Sequence, residues 1–154
     1  MLNRIYNAFD AAFKQKEQKN WDTIYILVDL HGTIFYPTYE EHEQFLFYPN
    51  AKEALQMLSK EPLFNLILWT STYDDDLRHY IDVLEKNDIH FDQVNENALE
   101  PSNRYACFDR KFYFNIGIDD KFGFYPKEDW TYINMWLNNN LERLNNNVSN
   151  TRQN

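Results

Sequence analysis

The stretch that decides the fold is Ile24-Tyr25-Ile26-Leu27-Val28-Asp29-Leu30-His31-Gly32-Thr33. Its first five residues are apolar and rich in β-branching, and an acid closes the run. Unbroken apolarity over so short a length fits a central strand of a parallel sheet, covered on both faces. In open parallel sheets, ligands gather beyond the carboxyl ends of the strands. Asp29 therefore stands where chemistry is expected.

Outward from this strand the same unit recurs. Leu63 to Trp69 reads as a second apolar strand, closed by Thr70-Ser71-Thr72. Ile89 to Val94 and Phe112 to Ile118 read as a third and a fourth, the fourth ending in Asp119-Asp120 with Lys111 just ahead of it. Between them, helical periodicity marks Pro49 to Lys60, with proline as first helical residue, and Asp74 to Asn87. A last helix is expected from Asp129 to Leu144. Strands alternating with helices indicate βαβ units, an α/β fold with a mainly parallel sheet.

Residues 2–19 form an amphipathic helix, with Leu2, Ile5, Phe9, Ala12 and Phe13 on one stripe. Docking on its own domain is the ordinary role of such a helix; a protein partner bound through residues 2–19 is the alternative. The organisation read from the chain is thus this helix over residues 1–20, one domain over 21–144, and an Asn-rich, disordered tail over 145–154. Residues 32–48 read as a loop or small aromatic flap, with His42 near the site.

Composition narrows the function classes. In 154 residues there is room for one real core, and an aromatic share of 18% fills it with large side chains. A net charge of −9 repels nucleic acid, whose binding depends on Lys and Arg meeting phosphates. A single cysteine, Cys107, rules out a disulfide framework and is read as a buried or half-buried filler. No apolar run approaches the roughly twenty residues of a membrane span. Asp10 interrupts any secretory signal at the start, so a cytoplasmic location is expected.

If the strands lie side by side, a carboxylate, hydroxyls, a lysine and an acidic pair converge at one edge. Phosphoryl transfer calls for that set: a nucleophilic carboxylate, a cation to neutralise its charge, and donors for the phosphoryl oxygens. Asp29-Leu30-His31-Gly32-Thr33 resembles the first motif of the haloacid-dehalogenase superfamily, Asp-x-Asp-Gly-Thr. Leu66 to Ser71 is similar to the second motif, Lys111 falls where the third is expected, and Phe114 to Asp120 resembles the acidic fourth. The resemblance covers about residues 22–136 and implies a three-layer, Rossmann-like sandwich without a cap. It implies a Mg²⁺-dependent phosphohydrolase acting on a phosphorylated substrate, with Asp29 as nucleophile. Magnesium would be held by Asp29, the backbone carbonyl of His31, and Asp119 or Asp120, with Asp120 favoured as the direct ligand. Thr33, Thr70, Ser71 and Lys111 would surround the phosphoryl group.

One position departs from the pattern. His31 stands where the family carries a second aspartate, the acid and base of the reaction. Histidine can serve both roles near neutrality. Three readings follow: an active phosphatase with His31 as acid/base, a phosphotransferase with a slowly hydrolysed aspartyl-phosphate, and a binding or regulatory protein that keeps the metal but not turnover.

Other conspicuous residues have plainer accounts. Asp74-Asp75-Asp76 suits capping and dipole complementarity at a helix start. His79 and His90 read as structural or exposed, and Trp130 and Trp136 as anchors of the last helix.

Overall fold

The computed structural model describes residues 3–37 and 44–151. The expected flap residue His42 lies outside them. Four strands form one all-parallel sheet in the order β3-β2-β1-β4: β1 Ile24–Asp29, β2 Phe64–Trp69, β3 Gln93–Val94 and β4 Ile116–Ile118. The helices are α1 Arg4–Lys19, α2 Ala51–Lys60, α3 Asp74–Lys86, α4 Asp129–Asn139 and α5 Leu141–Thr151. The α/β, three-layer expectation is met, with the central strand where the apolar run placed it.

Strand alternation sorts the two faces of β1. Ile24, Ile26 and Val28 join the core shared with α1, α2, α3 and α4. Tyr25 points the other way, where its hydroxyl donates to Glu100 at 3.1 Å and its ring meets Tyr113 edge-on. The second face is therefore layered by the irregular segment between β3 and β4. Aromatic rings there do the covering that a helix does in many α/β folds.

The helices form for identifiable reasons. Asn3 caps α1 by accepting from the Ile5 amide at 2.8 Å, and Asn20 ends it in a left-handed conformation. Ile5, Phe9, Ala12 and Phe13 are all buried, so α1 docks on its own domain. The Trp136 indole donates to the exposed Asp10 at 2.8 Å, which gives the buried N–H a partner at the edge of the α1–α4 interface.

Several boundaries depart from the sequence reading. Pro49 precedes α2 instead of opening it, because Asn50 takes a left-handed turn (φ 63°) before Ala51. Only Gln93–Val94 pair as β3, and Ile89 is buried in the approach to it. Phe112 to Asn115 lie outside β4; there the Asn115 side chain, not a ladder carbonyl, accepts the Tyr25 amide at 2.8 Å. The last helix breaks at Asn140, and α5 runs on to Thr151, where an unstructured tail was expected from 145. The cap before α3 is Tyr73, without a side-chain bond, so Asp74–Asp76 serve the helix dipole but not the cap. Cys107 is exposed and is no core filler. Among the described residues, no helix is long and apolar enough to cross a membrane.

Candidate active site

In a sheet ordered β3-β2-β1-β4, the chain leaves β1 toward β2 on one side and later returns to β4 on the other. The gap beyond the carboxyl ends of β1 and β4 is the topological switch point, the usual ligand crevice of such sheets. Asp29 ends β1 and Asp119 follows β4, so both acids meet there.

Carboxylate oxygens of Asp29, Asp119 and Asp120 all lie within 4.8 Å of one another. Thr33 links two members of the trio. Its hydroxyl donates to Asp29 Oδ2 at 2.8 Å and accepts the Asp120 amide at 3.1 Å. Thr33 is fully buried, and its carbonyl accepts the Trp130 indole N–H at 2.9 Å. The loop after Asp29 is wound tightly, with the Ile34 amide bonding to the Leu30 carbonyl at 2.9 Å. Gly32 sits at φ +77°, and a Cβ there would come within 3.3 Å of Asp120 Oδ2. A side chain at 32 would thus press on the acidic trio as well as strain the backbone.

Electrostatics records the crowding. Burial, then the neighbouring Asp119 and Asp120 charges, push Asp29 up to about 6, against a lowering from the Thr33 bond. Burial also raises Asp119, beside the same neighbour. Lys121 Nζ stands 3.7 Å from Asp120, but both side chains are open to solvent and the pairing is weak. Three carboxylates this close could hold a cation. The donors are hard oxygens, the type that magnesium prefers.

His31 turns from the trio toward α3. Its Nε2 lies 2.7 Å from the Tyr80 hydroxyl, and its Nδ1 lies 3.4 Å from the Thr72 hydroxyl. Thr72 Oγ1 in turn meets Thr70 Oγ1 at 2.8 Å. Thr70, one residue beyond the Asp29–Trp69 pair, is clamped by Asn95, which accepts its amide and donates to its carbonyl. Burial lowers the His31 pKa and so favours the neutral ring. A neutral imidazole has one donor and one acceptor, and Tyr80 and Thr72 meet both. His31 also borders an open cavity of about 350 Å³, with Phe45, Thr72, His79 and Tyr80 in its walls.

The remaining expected residues are more loosely placed. Ser71 is exposed. Lys111 is exposed and lines a second cavity with Phe108 and Tyr113. No hydrogen bond or ion pair joins it to the trio. Its neighbour Phe112 packs on Trp69, the residue in register with Asp29, and so moors this loop at the edge of the crevice. The flap arms pair through Phe35 and Phe47, with the Tyr48 amide bonding to the Ile34 carbonyl at 2.9 Å.

Tyr80, Thr72 and Trp130 escaped the sequence reading as site residues. Tyr80 is 49 positions from His31, and nothing in either local pattern links them. Trp130 was read as a helix anchor, which it is, yet its indole also holds the loop that carries Thr33.

No protein-family model matches this chain, and no curated protein matches it. A solved structure, that of a conserved protein from Bacteroides thetaiotaomicron, does. It is 28% identical, with a TM-score of 0.56, over 72% of this chain and 86% of that one. The likeness bears on the fold.

Proposed function

We propose that this chain is a capless, Mg²⁺-dependent phosphohydrolase of the haloacid-dehalogenase type that cleaves a phosphate monoester through Asp29. The observation that carries this reading is the carboxylate trio at the switch point, one oxygen of each within 4.8 Å of the others, with Thr33 bonded to the Asp29 carboxylate and the Asp120 amide.

Asp29, Asp119, Asp120 and the His31 carbonyl are the groups that would hold Mg²⁺. The ion would supply positive charge against the phosphoryl oxygens and the carboxylates. Asp29 attacks phosphorus; the bond from phosphorus to the ester oxygen breaks, and that oxygen leaves with a proton. Water then attacks the aspartyl-phosphate and gives up a proton, inorganic phosphate departs, and the Asp29 carboxylate is restored. Thr33 fixes the angle of the attacking carboxylate. Thr70, at the end of the neighbouring strand, is the hydroxyl donor to the phosphoryl group. Lys111 approaches only if its exposed side chain swings in from the moored loop.

The proton shuttle falls to His31, through Nδ1, the nitrogen with the looser contact. Its lowered pKa suits the base role better than the acid role. The 2.7 Å bond to Tyr80 favours a second reading, a metal-holding binding protein in which His31 is structural. Steady-state hydrolysis of an aryl phosphate with Mg²⁺ or EDTA, in wild type and Asp29→Asn, separates them. The phosphohydrolase predicts Mg²⁺-dependent turnover that Asp29→Asn abolishes. Turnover retained in that variant would remove the covalent mechanism.

A further inference from the structure

The cavity beside His31 has a charge character of its own. Asp76 and Gln44 join the wall residues named above, and no lysine or arginine is among them. The nearby sequence adds none: residues 33–48 contain no Lys or Arg, and α3 opens on Asp74-Asp75-Asp76. The one cation of the first α3 turns, Arg78, is exposed and paired with Asp75 at 3.3 Å. The Asp76 charge is felt inside the wall, where it adds to burial in raising the Tyr80 hydroxyl. The aromatic part of the wall is firm, since Tyr80 is buried and packs edge-on against both His31 and Phe45.

A second phosphate or a carboxylate placed here would meet the Asp76 charge, with no lysine or arginine among the described lining residues. An ammonium group would pair with Asp76, and its alkyl stem would lie along the rings of Phe45 and Tyr80. We infer that this cavity is the leaving-group subsite and that it selects phosphate monoesters of amino alcohols, whose leaving group carries a positive charge. The inference rests on reading Asp29 as the nucleophile: the cavity is joined to it through the β1 loop, whose His31, two residues on, lines the cavity. The same charge disfavours bisphosphates and nucleoside polyphosphates.

The test is equilibrium binding by calorimetry to the full chain with Mg²⁺, using two phosphonates that cannot be hydrolysed. 3-Aminopropylphosphonate carries the ammonium; butylphosphonate is its neutral isostere. The expected preference for the ammonium is about fivefold, the upper range for an exposed ion pair. In Asp76→Asn, a surface change that leaves the core intact, the ratio should fall to about one while butylphosphonate binding is unchanged. Equal binding of the two, binding of neither, or a preference that survives Asp76→Asn would overturn the subsite. Hydrolysis of an aryl phosphate and of O-phosphoethanolamine, run alongside, distinguishes the two failures. Mg²⁺-dependent turnover without an ammonium preference overturns the subsite alone. An ammonium preference lost in Asp76→Asn, with neither ester hydrolysed, leaves a cation-binding cavity and overturns the phosphohydrolase.

Discussion

Asp29 pays for its position in stability. Its folded pKa is about 6, against 3.8 ordinarily, so between those values the folded protein binds the proton more tightly than the unfolded chain. The stabilising contribution is present below pH 3.8 and is lost as pH rises through about 6. At pH 7.5, without metal, Asp29 is therefore a destabilising residue, by roughly 2 to 3 kcal/mol as an upper figure. Asp29→Asn should raise the melting temperature in EDTA by several degrees at pH 7.5 and by little at pH 4. Mg²⁺ should stabilise the wild type and leave the variant nearly unmoved. A variant that melts lower than wild type in EDTA at pH 7.5 would show the crowding to be compensated. At His31 the expectation is a split: His31→Ala should slow turnover more than it weakens Mg²⁺ binding, because any metal contact there is main-chain. Equal losses in both would assign the imidazole to holding the loop.

At the scale of elements, the loop after β1 depends on α4. Trp130 reaches from that helix to the Thr33 carbonyl, and Thr33 positions Asp29 and Asp120. Trp130→Phe keeps most of the buried ring and deletes the N–H. The stability cost should be about 1 to 3 kcal/mol, for an unpaired buried carbonyl. The turnover number should fall more than substrate affinity, as kinetics with and without the variant will show. The elements were readable where the physics is local. β1 and β2 are continuous apolar runs, and α1 and α3 carry clean stripes, so their bounds in the structure differ from the sequence reading by at most two residues. β3 and β4 were overdrawn for one reason. Apolar residues there are covered by packing while their backbones lie outside the ladder: Ile89 is buried, and Phe112 is half-buried against Trp69. Apolar content alone does not reveal which backbones pair. Asp29, Asp119 and Asp120 were legible as site residues because each follows an apolar strand. The partners of His31 were not, since Tyr80 and Thr72 meet it only through the crossover that lays α3 against the β1 loop.

For the whole molecule, α1 belongs to the fold and is no appendage. Phe9 and Phe13 pack on Trp136 with ring centroids 5.2 and 5.8 Å apart, and Phe13 is fully buried. Phe13→Ala should cost about 3 to 5 kcal/mol, measured by denaturant unfolding. A loss under about 1 kcal/mol would mean that the helix docks loosely and that residues 2–19 are free for a partner. Since α1 also touches α4, which holds the site loop, such a loss of packing should lower activity as well. The central claim, however, concerns one oxygen atom of one carboxylate. Its most direct test is acid-quenching the protein during reaction with a phosphate monoester and Mg²⁺, then mapping the phosphoryl adduct by peptide mass spectrometry. The account predicts an acyl-phosphate on the peptide that contains Asp29, absent in EDTA and absent in Asp29→Asn. Product formed with the label on another residue, or turnover persisting in Asp29→Asn, would contradict it.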